Sequence, residues 1–306
     1  RRSPQLMIIR IALLLFTIGY TYASGNAQPV EAERESALEH IRQGDSLIEA
    51  RQYQQAEAAF SRALSYFEAE GDCYNQAYCY LWLSEASYGL RRPPAASMAL
   101  AKKSKAIADS CHRRSDMAFY SIILQNLGVF SSQLGDFDRQ MEFYRQSFQE
   151  VLRFEGRRSE RGADAYQNLG VAFGSRGQWD KAIAYLDTSL QLSEILNYEE
   201  GIAVACHNLA YAYETKQDFI RAIDFQRRSL RLSNDPEMIG RGHNNLGTYY
   251  GDLGEHVLAL DHLEEALCIR DSLYAPADED VLSTLLNIAG VYYDLERLEK
   301  ADAYVN

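Results

Sequence analysis

Residues 168–190 read NLGVAFGSRGQWDKAIAYLDTSL, and variants of this stretch recur along a chain of 306 residues. Four other copies open at Asn126, Asn208, Asn245 and Asn287. Self-similarity at a period of 20–50 residues is typical of stacked arrays, in which each copy is one supersecondary unit. The recurrence therefore predicts an array of similar units and not a single globular core.

The third residue of each copy, here called the mark residue, is small and sets the register. The mark residues are Gly44, Ser84, Gly128, Gly170, Ala210, Gly247 and Ala289, at intervals of 37–44 residues. Twelve residues after the mark the chain places Ala56, Ala96, Gln140, Ala182, Ala222, Ala259 and Ala301. Seven residues after it, three copies carry Gly135, Gly177 and Gly254. Glycine at this point predicts a left-handed turn that ends a helix.

The spacing of apolar residues predicts a helical hairpin for each copy. Leu169, Ala172 and Phe173 share one face of a first helix, because residues three and four apart are neighbours on a helix surface. The second helix carries the alanine and, four residues later, a bulkier residue such as Phe60 or Leu186. A small mark residue allows a neighbouring helix to approach closely. One hairpin cannot bury its apolar face alone, so neighbouring hairpins are expected to stack.

This pattern resembles the tetratricopeptide repeat, in the long NLG form found in kinesin light chains and in many bacterial repeat proteins. The resemblance covers about residues 33–306. It implies an all-α fold, a right-handed α-solenoid of about seven helix-turn-helix repeats. Their approximate bounds are 33–70, 73–111, 116–155, 158–196, 199–233, 236–273 and a truncated 278–306.

Residues 1–27 have the layout of a signal peptide, with Met7 as the natural start and an apolar run from Ile11 to Ile18. Cleavage after Ala27 would leave Gln28 first, and residues 28–306 would form the array. The protein is then expected to be exported, either periplasmic or secreted. The alternative is an uncleaved membrane anchor, although the run is shorter than the roughly 20 residues that a membrane span needs.

The five cysteines include no C-x-x-C pair and do not form a disulfide framework. Cys73 and Cys111 fall at the start and the end of one predicted hairpin, so a disulfide between them is one of two alternatives. The pattern favours the other interpretation, in which both are ordinary buried thiols.

Charge and motif content exclude several classes of function. The net charge of −12 repels phosphate backbones, so no nucleic-acid partner is expected. Membrane contact is expected only through an uncleaved leader or a part beyond residue 306. The histidines form no H-E-x-x-H motif, and the adjacent Cys206 and His207 point about 100° apart on a helix. No catalytic residue, metal site or cofactor is therefore predicted.

The remaining candidate site is the concave groove that the resemblance implies, which the first helices line. The resemblance places the asparagines of five copies near that surface. The residues just before each asparagine, and those about one turn after it, are expected to lie there too. The candidate groove residues are Asn126, Asn168, Asn208, Asn245, Asn287, Gln125, Gln167, His207, Asn244, Tyr211 and Glu214, followed by Thr248 and Asp252. A row of amides, each a donor and an acceptor, could hold the backbone of a ligand peptide. Alternatively, the asparagines bond between neighbouring helices and hold the array together.

The function predicted for this chain is binding: an exported scaffold or sensor module that holds a protein or peptide. The alternative is a regulatory region of a larger enzyme, with a CHAT-type cysteine peptidase or a sensor histidine kinase beyond residue 306. Because the chain does not start with methionine and stops inside a repeat, it is expected to be a fragment of a longer protein.

Overall fold

The computed structural model describes residues 28–116 and 118–305, and within them the secondary structure is helical, with no strand. The predicted signal peptide, residues 1–27, lies outside the described residues. The chain divides into two compact units between Phe154 and Glu155, a division that the repeat pattern does not predict. Among the described residues, no helix is both long enough and apolar enough to cross a membrane.

The first unit consists of three helical hairpins, repeats 1 to 3. Its helices are α1 (Gln28–Glu49), α2 (Tyr53–Glu70), α3 (Cys73–Gly89), α4 (Pro94–Ser110), a short 3-10 helix (Arg114–Asp116), α5 (Tyr120–Gln133) and α6 (Phe137–Phe154). Each helix packs against the next along the chain. The core is rich in aromatic side chains, among them the fully buried Phe60, Tyr78 and Phe119.

The second unit consists of four hairpins, repeats 4 to 7. Its helices are α7 (Glu160–Ser175), α8 (Trp179–Leu196), α9 (Glu199–Thr215), α10 (Phe219–Leu232), α11 (Pro236–Asp252), α12 (His256–Leu273), α13 (Glu279–Asp294) and α14 (Leu298–Val305). Its core contains alanines and leucines with buried tyrosines such as Tyr249. The predicted all-α class of paired helices is confirmed in both units.

The mark glycines lie where the two helices of a repeat meet. A Cβ atom on Gly170 would lie 2.8 Å from Cγ of Leu186, and one on Gly44 would lie 2.6 Å from the ring of Phe60. Leu186 and Phe60 are the bulkier residues predicted on the second helices. The expected close approach is therefore confirmed, and its partner is the second helix of the same repeat.

The residue seven positions after the mark is left-handed in every repeat, not only in those with glycine. At this position φ is positive in all seven repeats, at Arg51, Arg91, Gly135, Gly177, Gln217, Gly254 and Glu296. The turn predicted for three glycines is confirmed and extends to four residues that carry a Cβ atom. In those four repeats the geometry of the hairpin overrides the steric cost of a left-handed L-residue.

Repeat 2 departs from the predicted register by one residue. Ala96 was expected in the buried position twelve residues after the mark, but it is exposed and Ser97 is fully buried instead. Pro93 precedes the helix and α4 begins at Pro94, one residue later than the equivalent helix of the other repeats. The hydroxyl of Ser97 donates a hydrogen bond to the hydroxyl of Ser87 across 3.0 Å, so the buried Ser97 side chain has a polar partner.

Cys73 and Cys111 form a disulfide, with their Cα atoms 5.6 Å apart. The preference for buried thiols at these two positions was therefore wrong. Cys73 opens α3 and Cys111 directly follows α4, and antiparallel packing brings the two ends of the hairpin together. Among the other cysteines, Cys79 and Cys206 are buried free thiols and Cys268 is an exposed one.

Candidate functional site

The candidate asparagines occupy the same position in five first helices, and each is half-buried. The first unit holds Asn126, preceded by Gln125, on α5. The second unit holds the others: Gln167 and Asn168 on α7, His207, Asn208, Tyr211 and Glu214 on α9, Asn244 and Asn245 on α11, and Asn287 on α13. The predicted row is thus divided between two units, and its members differ in what their amides contact.

Asn126 bonds to the preceding repeat. Its Nδ2 atom donates to Oε2 of Glu85 on α3 across 3.1 Å. Burial raises the pKa of the Glu85 carboxyl, and the hydrogen bond from Asn126 acts in the opposite direction. Because this side chain is half-buried, its bonded amide offsets part of a desolvation cost. At this position the amide makes a bond between neighbouring repeats, which is the alternative role that the sequence leaves open.

Asn287 is also bonded between repeats. Its Nδ2 atom donates to Oδ1 of Asn244 across 3.1 Å, and the buried Arg270 donates to the same oxygen across 3.4 Å. Arg270 also donates to the backbone oxygen of Asp280 across 2.7 Å. These bonds connect α11, α12 and α13, so Asn244 and Asn287 hold repeats 6 and 7 together.

The amides of the other three asparagines have no such partner. Among the described residues, none makes a hydrogen bond to the side-chain amide of Asn168, Asn208 or Asn245. They belong to three consecutive repeats of the second unit, and α7 contacts α9 directly. Each amide retains two donor hydrogens and an acceptor oxygen for another molecule. These three residues form the candidate site, called here the open-amide face.

The side chains next to the open-amide face add an aromatic ring and two polar groups. Tyr211 is 52% exposed, and the edge of its ring contacts Trp179 with the centroids 5.7 Å apart. Burial, and then the charge of Arg241, lowers the pKa of His207 to about 4, so His207 is neutral at pH 7. Oε1 of Gln167 is buried and has no hydrogen-bond partner among the described atoms. The face therefore combines neutral hydrogen-bonding groups with one exposed ring.

Acidic groups lie on the same helices. Glu214, one turn after Tyr211, has its pKa raised by burial and then by the charge of Asp252. Asp164, one turn before Asn168, was missed in the sequence analysis. Burial, followed by the charges of Glu200 and Glu160, raises its pKa to about 7. The signal for Asp164 was its spacing of four from the asparagine, which places both residues on one helix face.

A cavity of about 360 Å³ lies away from the open-amide face. It is lined by Asn197, Glu199, Ile202, Arg228, Arg231 and Leu232, at the turn between α8 and α9 and along α10. One of its cations is already paired, because Nη2 of Arg228 lies 2.5 Å from Oε1 of Glu194. None of the predicted groove residues lines this cavity.

One cluster of potential metal ligands joins the two disulfide cysteines to His112. The ligand atoms of Cys73, Cys111 and His112 lie within 4.8 Å of one another, and Nδ1 of His112 is 3.9 Å from Sγ of Cys73. Metal binding requires thiolates, and both sulfur atoms are in the disulfide. The oxidised cluster therefore offers only the imidazole.

Three family models, each described as a tetratricopeptide repeat, match the chain. They match residues 239–306, residues 122–149 with 203–236, and residues 163–197, together more than half of the chain. Each describes a repeat module. No curated protein matches the chain in sequence.

Solved structures of similar fold include RapI in its apo form, with a TM-score of 0.65 and 16% identity over 88% of this chain and 94% of RapI. The apo form of the quorum sensor NprR from B. thuringiensis has a TM-score of 0.57 and 16% identity, over 92% of this chain and 75% of NprR. The nearly identical TPR-like repeats of a putative kinesin light chain from Podosopora anserina have a TM-score of 0.51 and 16% identity, over 62% of this chain and 92% of theirs. The predicted fold of packed helical hairpins is confirmed.

Proposed function

The chain belongs to the tetratricopeptide-repeat family, and from this membership we propose that its second unit binds an extended peptide or a segment of a protein. The ligand contacts are the amides of Asn168, Asn208 and Asn245. Residues around these amides select the ligand, and the repeat array itself carries no catalytic step.

The single observation that carries this proposal is the contrast among equivalent asparagines. Where the amide has a structural task, as in Asn126 and Asn287, it is bonded to a neighbouring repeat. Asn168, Asn208 and Asn245 occupy the same position without such a bond among the described residues. A peptide backbone presents one donor and one acceptor for each non-proline residue, which an amide side chain can match.

The surroundings of the face favour a ligand with an aromatic or apolar side chain and a basic side chain. The exposed ring of Tyr211 offers an apolar contact, and Glu214 lies one turn further along α9. An acidic group beside a binding face favours partners of opposite charge. Because His207 is neutral at pH 7, it does not oppose a basic ligand.

A peptide-display selection tests this proposal. The residue 28–306 chain is used as bait against a library of linear peptides, with the Asn168→Ala/Asn208→Ala variant as the counter-selection bait. We expect enriched peptides that carry a basic residue near an aromatic one and bind the parent chain only. A selection that enriches no peptide, or only peptides that bind both baits equally, contradicts the proposal.

The proposed cellular role is that of an exported scaffold or sensor. The layout of residues 1–27 supports export, and so does the Cys73–Cys111 disulfide, because such bonds persist mainly in oxidising compartments. Mass analysis of the protein from its native host should find Gln28 as the first residue. An intact leader in the membrane, or a reduced protein in the cytosol, would contradict this location. A regulatory role in a larger enzyme stays a prediction that sequence downstream of residue 306 would test.

A further inference from the structure

Two histidines of repeat 6 face each other across the hairpin. Nδ1 of His243 on α11 lies 3.1 Å from Nδ1 of His262 on α12, and the ring centroids are 5.2 Å apart. Both side chains are half-buried, so solvent reaches the pair. Nineteen residues separate them in the chain, so they form no local metal-binding motif in the sequence.

The equivalent positions in repeat 4 show that packing alone does not require histidine here. There Tyr166 and Tyr185, also nineteen residues apart, hold their ring centroids 6.0 Å from each other. Tyr185 also packs on Phe173 at 5.0 Å, just as His262 stacks on Tyr250 at 5.5 Å. Repeat 6 therefore retains the cluster of three rings but replaces two of them with imidazoles. The replacement brings two ring nitrogens together in a place that other rings can fill.

The separation of the two nitrogens matches the bite of one metal ion. With metal–nitrogen bonds of about 2.0–2.1 Å, a tetrahedral ion places two ligand nitrogens about 3.3 Å apart, and a right-angle arrangement places them about 2.9 Å apart. The observed 3.1 Å lies between these values. Two imidazoles can therefore bind one ion with little movement of the backbone.

Charged side chains near the pair act on it in both directions. Glu265 is exposed and follows His262 by three residues, and its negative charge, which acts on both imidazoles, favours a cation. Burial lowers the pKa of both histidines, so both are neutral at pH 7 and can donate lone pairs to a metal. Arg227, whose charge also acts on His262, is the nearby group that disfavours a cation.

We propose that His243 and His262, with water at the remaining positions, bind Zn²⁺ and thereby tie α11 to α12. The imidazole nitrogen is a ligand that zinc accepts, and water can complete the coordination. Without metal, one Nδ1–H donates to the other Nδ1, as the 3.1 Å separation allows. The site lies within repeat 6 and is independent of peptide binding at the open-amide face.

Isothermal titration calorimetry with Zn²⁺ at pH 7.5 tests the site. All proteins carry Cys268→Ser, because Cys268 is an exposed thiol, and are kept oxidised so that the disulfide stays closed. The matched control is His243→Tyr/His262→Tyr, which installs the residues that repeat 4 carries at these positions. We expect one Zn²⁺ per parent chain and a loss of affinity of about 100-fold in the control.

Folding of the control is checked by circular dichroism, and His243→Gln serves as a milder second variant. Zn²⁺ should raise the melting temperature of the parent and leave that of the double tyrosine variant unchanged. Failure of the parent to bind Zn²⁺ would mean that the pair is only a hydrogen bond. Equal binding by parent, His243→Gln and double variant would place the ion elsewhere. Either result overturns the proposal.

Discussion

The two units share one repeat but differ in how they use its polar positions. In the first unit, a disulfide closes repeat 2, Asn126 bonds to the half-buried Glu85, and the hydroxyl of Tyr78 donates to Asp45 across 3.0 Å. In the second unit, Asn168, Asn208 and Asn245 leave their amides open among the described residues. Repeats 6 and 7 bond an asparagine pair, between Asn287 and Asn244.

The difference shows that the asparagine of the repeat is not needed for the hairpin. The two helices of a repeat meet through the mark residue and the bulkier residue of the second helix, as Gly170 and Leu186 do. The asparagine is therefore available either for a bond between repeats or for a ligand. The tests below examine the two units separately, because Trp82 and Trp179 are the only tryptophans and each unit contains one. Replacing either with phenylalanine leaves fluorescence that reports on one unit.

The largest effect is expected from the disulfide. Cys73 and Cys111 are 38 residues apart, and closing a loop of this size stabilises the folded chain by about 4 kcal/mol in the chain-entropy description. In a Trp179→Phe background, the Cys73→Ser/Cys111→Ser variant should unfold at lower urea concentration, as the Trp82 signal reports. The Trp179 signal, read in a Trp82→Phe background, should be far less affected. Equal loss in both units would remove the contrast between them.

A smaller difference in stability is expected between the alanine substitutions of Asn126 and Asn168. Asn126→Ala leaves the half-buried Glu85 carboxyl without its amide partner, at a cost of about 1–3 kcal/mol to the first unit. Asn168→Ala breaks no described hydrogen bond, so its cost should stay within about 0.5 kcal/mol. Urea unfolding with the unit-specific tryptophan measures both. Similar losses for the two substitutions would mean that the open amides are structural after all.

The smallest effects concern the left-handed turns, which the two units share. Gly135→Ala and Gly177→Ala should each cost about 1 kcal/mol, because φ is 74° and 70° at these positions. Gln217→Gly should stabilise the second unit by up to about 1 kcal/mol, since it removes a Cβ atom at a φ of 59°. Thermal melts check all three. If Gly135→Ala and Gly177→Ala destabilise their units by very different amounts, the turns contribute to the difference between the two units.

The sequence predicts the features that arise within one repeat. The alternation of first and second helices, the turn at Gly177 and the contact between Gly170 and Leu186 all follow from residue types at short spacing. Features that depend on distances between repeats, or between the ends of a hairpin, were missed or left open. The Asn126–Glu85 bond joins residues 41 apart, and the disulfide joins residues 38 apart.

Two other differences between prediction and structure have local causes that an averaged repeat pattern does not contain. The prolines before α4 shift the buried small residue from Ala96 to Ser97, because the helix starts one residue late. The open amides could be located as a row from the sequence, but not separated from the bonded ones. That separation depends on whether the neighbouring repeat supplies a partner such as Glu85 or Asn244 at hydrogen-bonding distance.

The most direct test of the open-amide face combines binding and stability in one variant. A peptide from the display selection is titrated into the parent and into Asn168→Ala/Asn208→Ala, and both proteins are melted. The loss of two hydrogen bonds should weaken binding by about 10-fold or more, while the melting temperature of the second unit stays unchanged. Unchanged affinity, or a lower melting temperature with a parallel loss of binding, would contradict the assignment of these amides to a ligand.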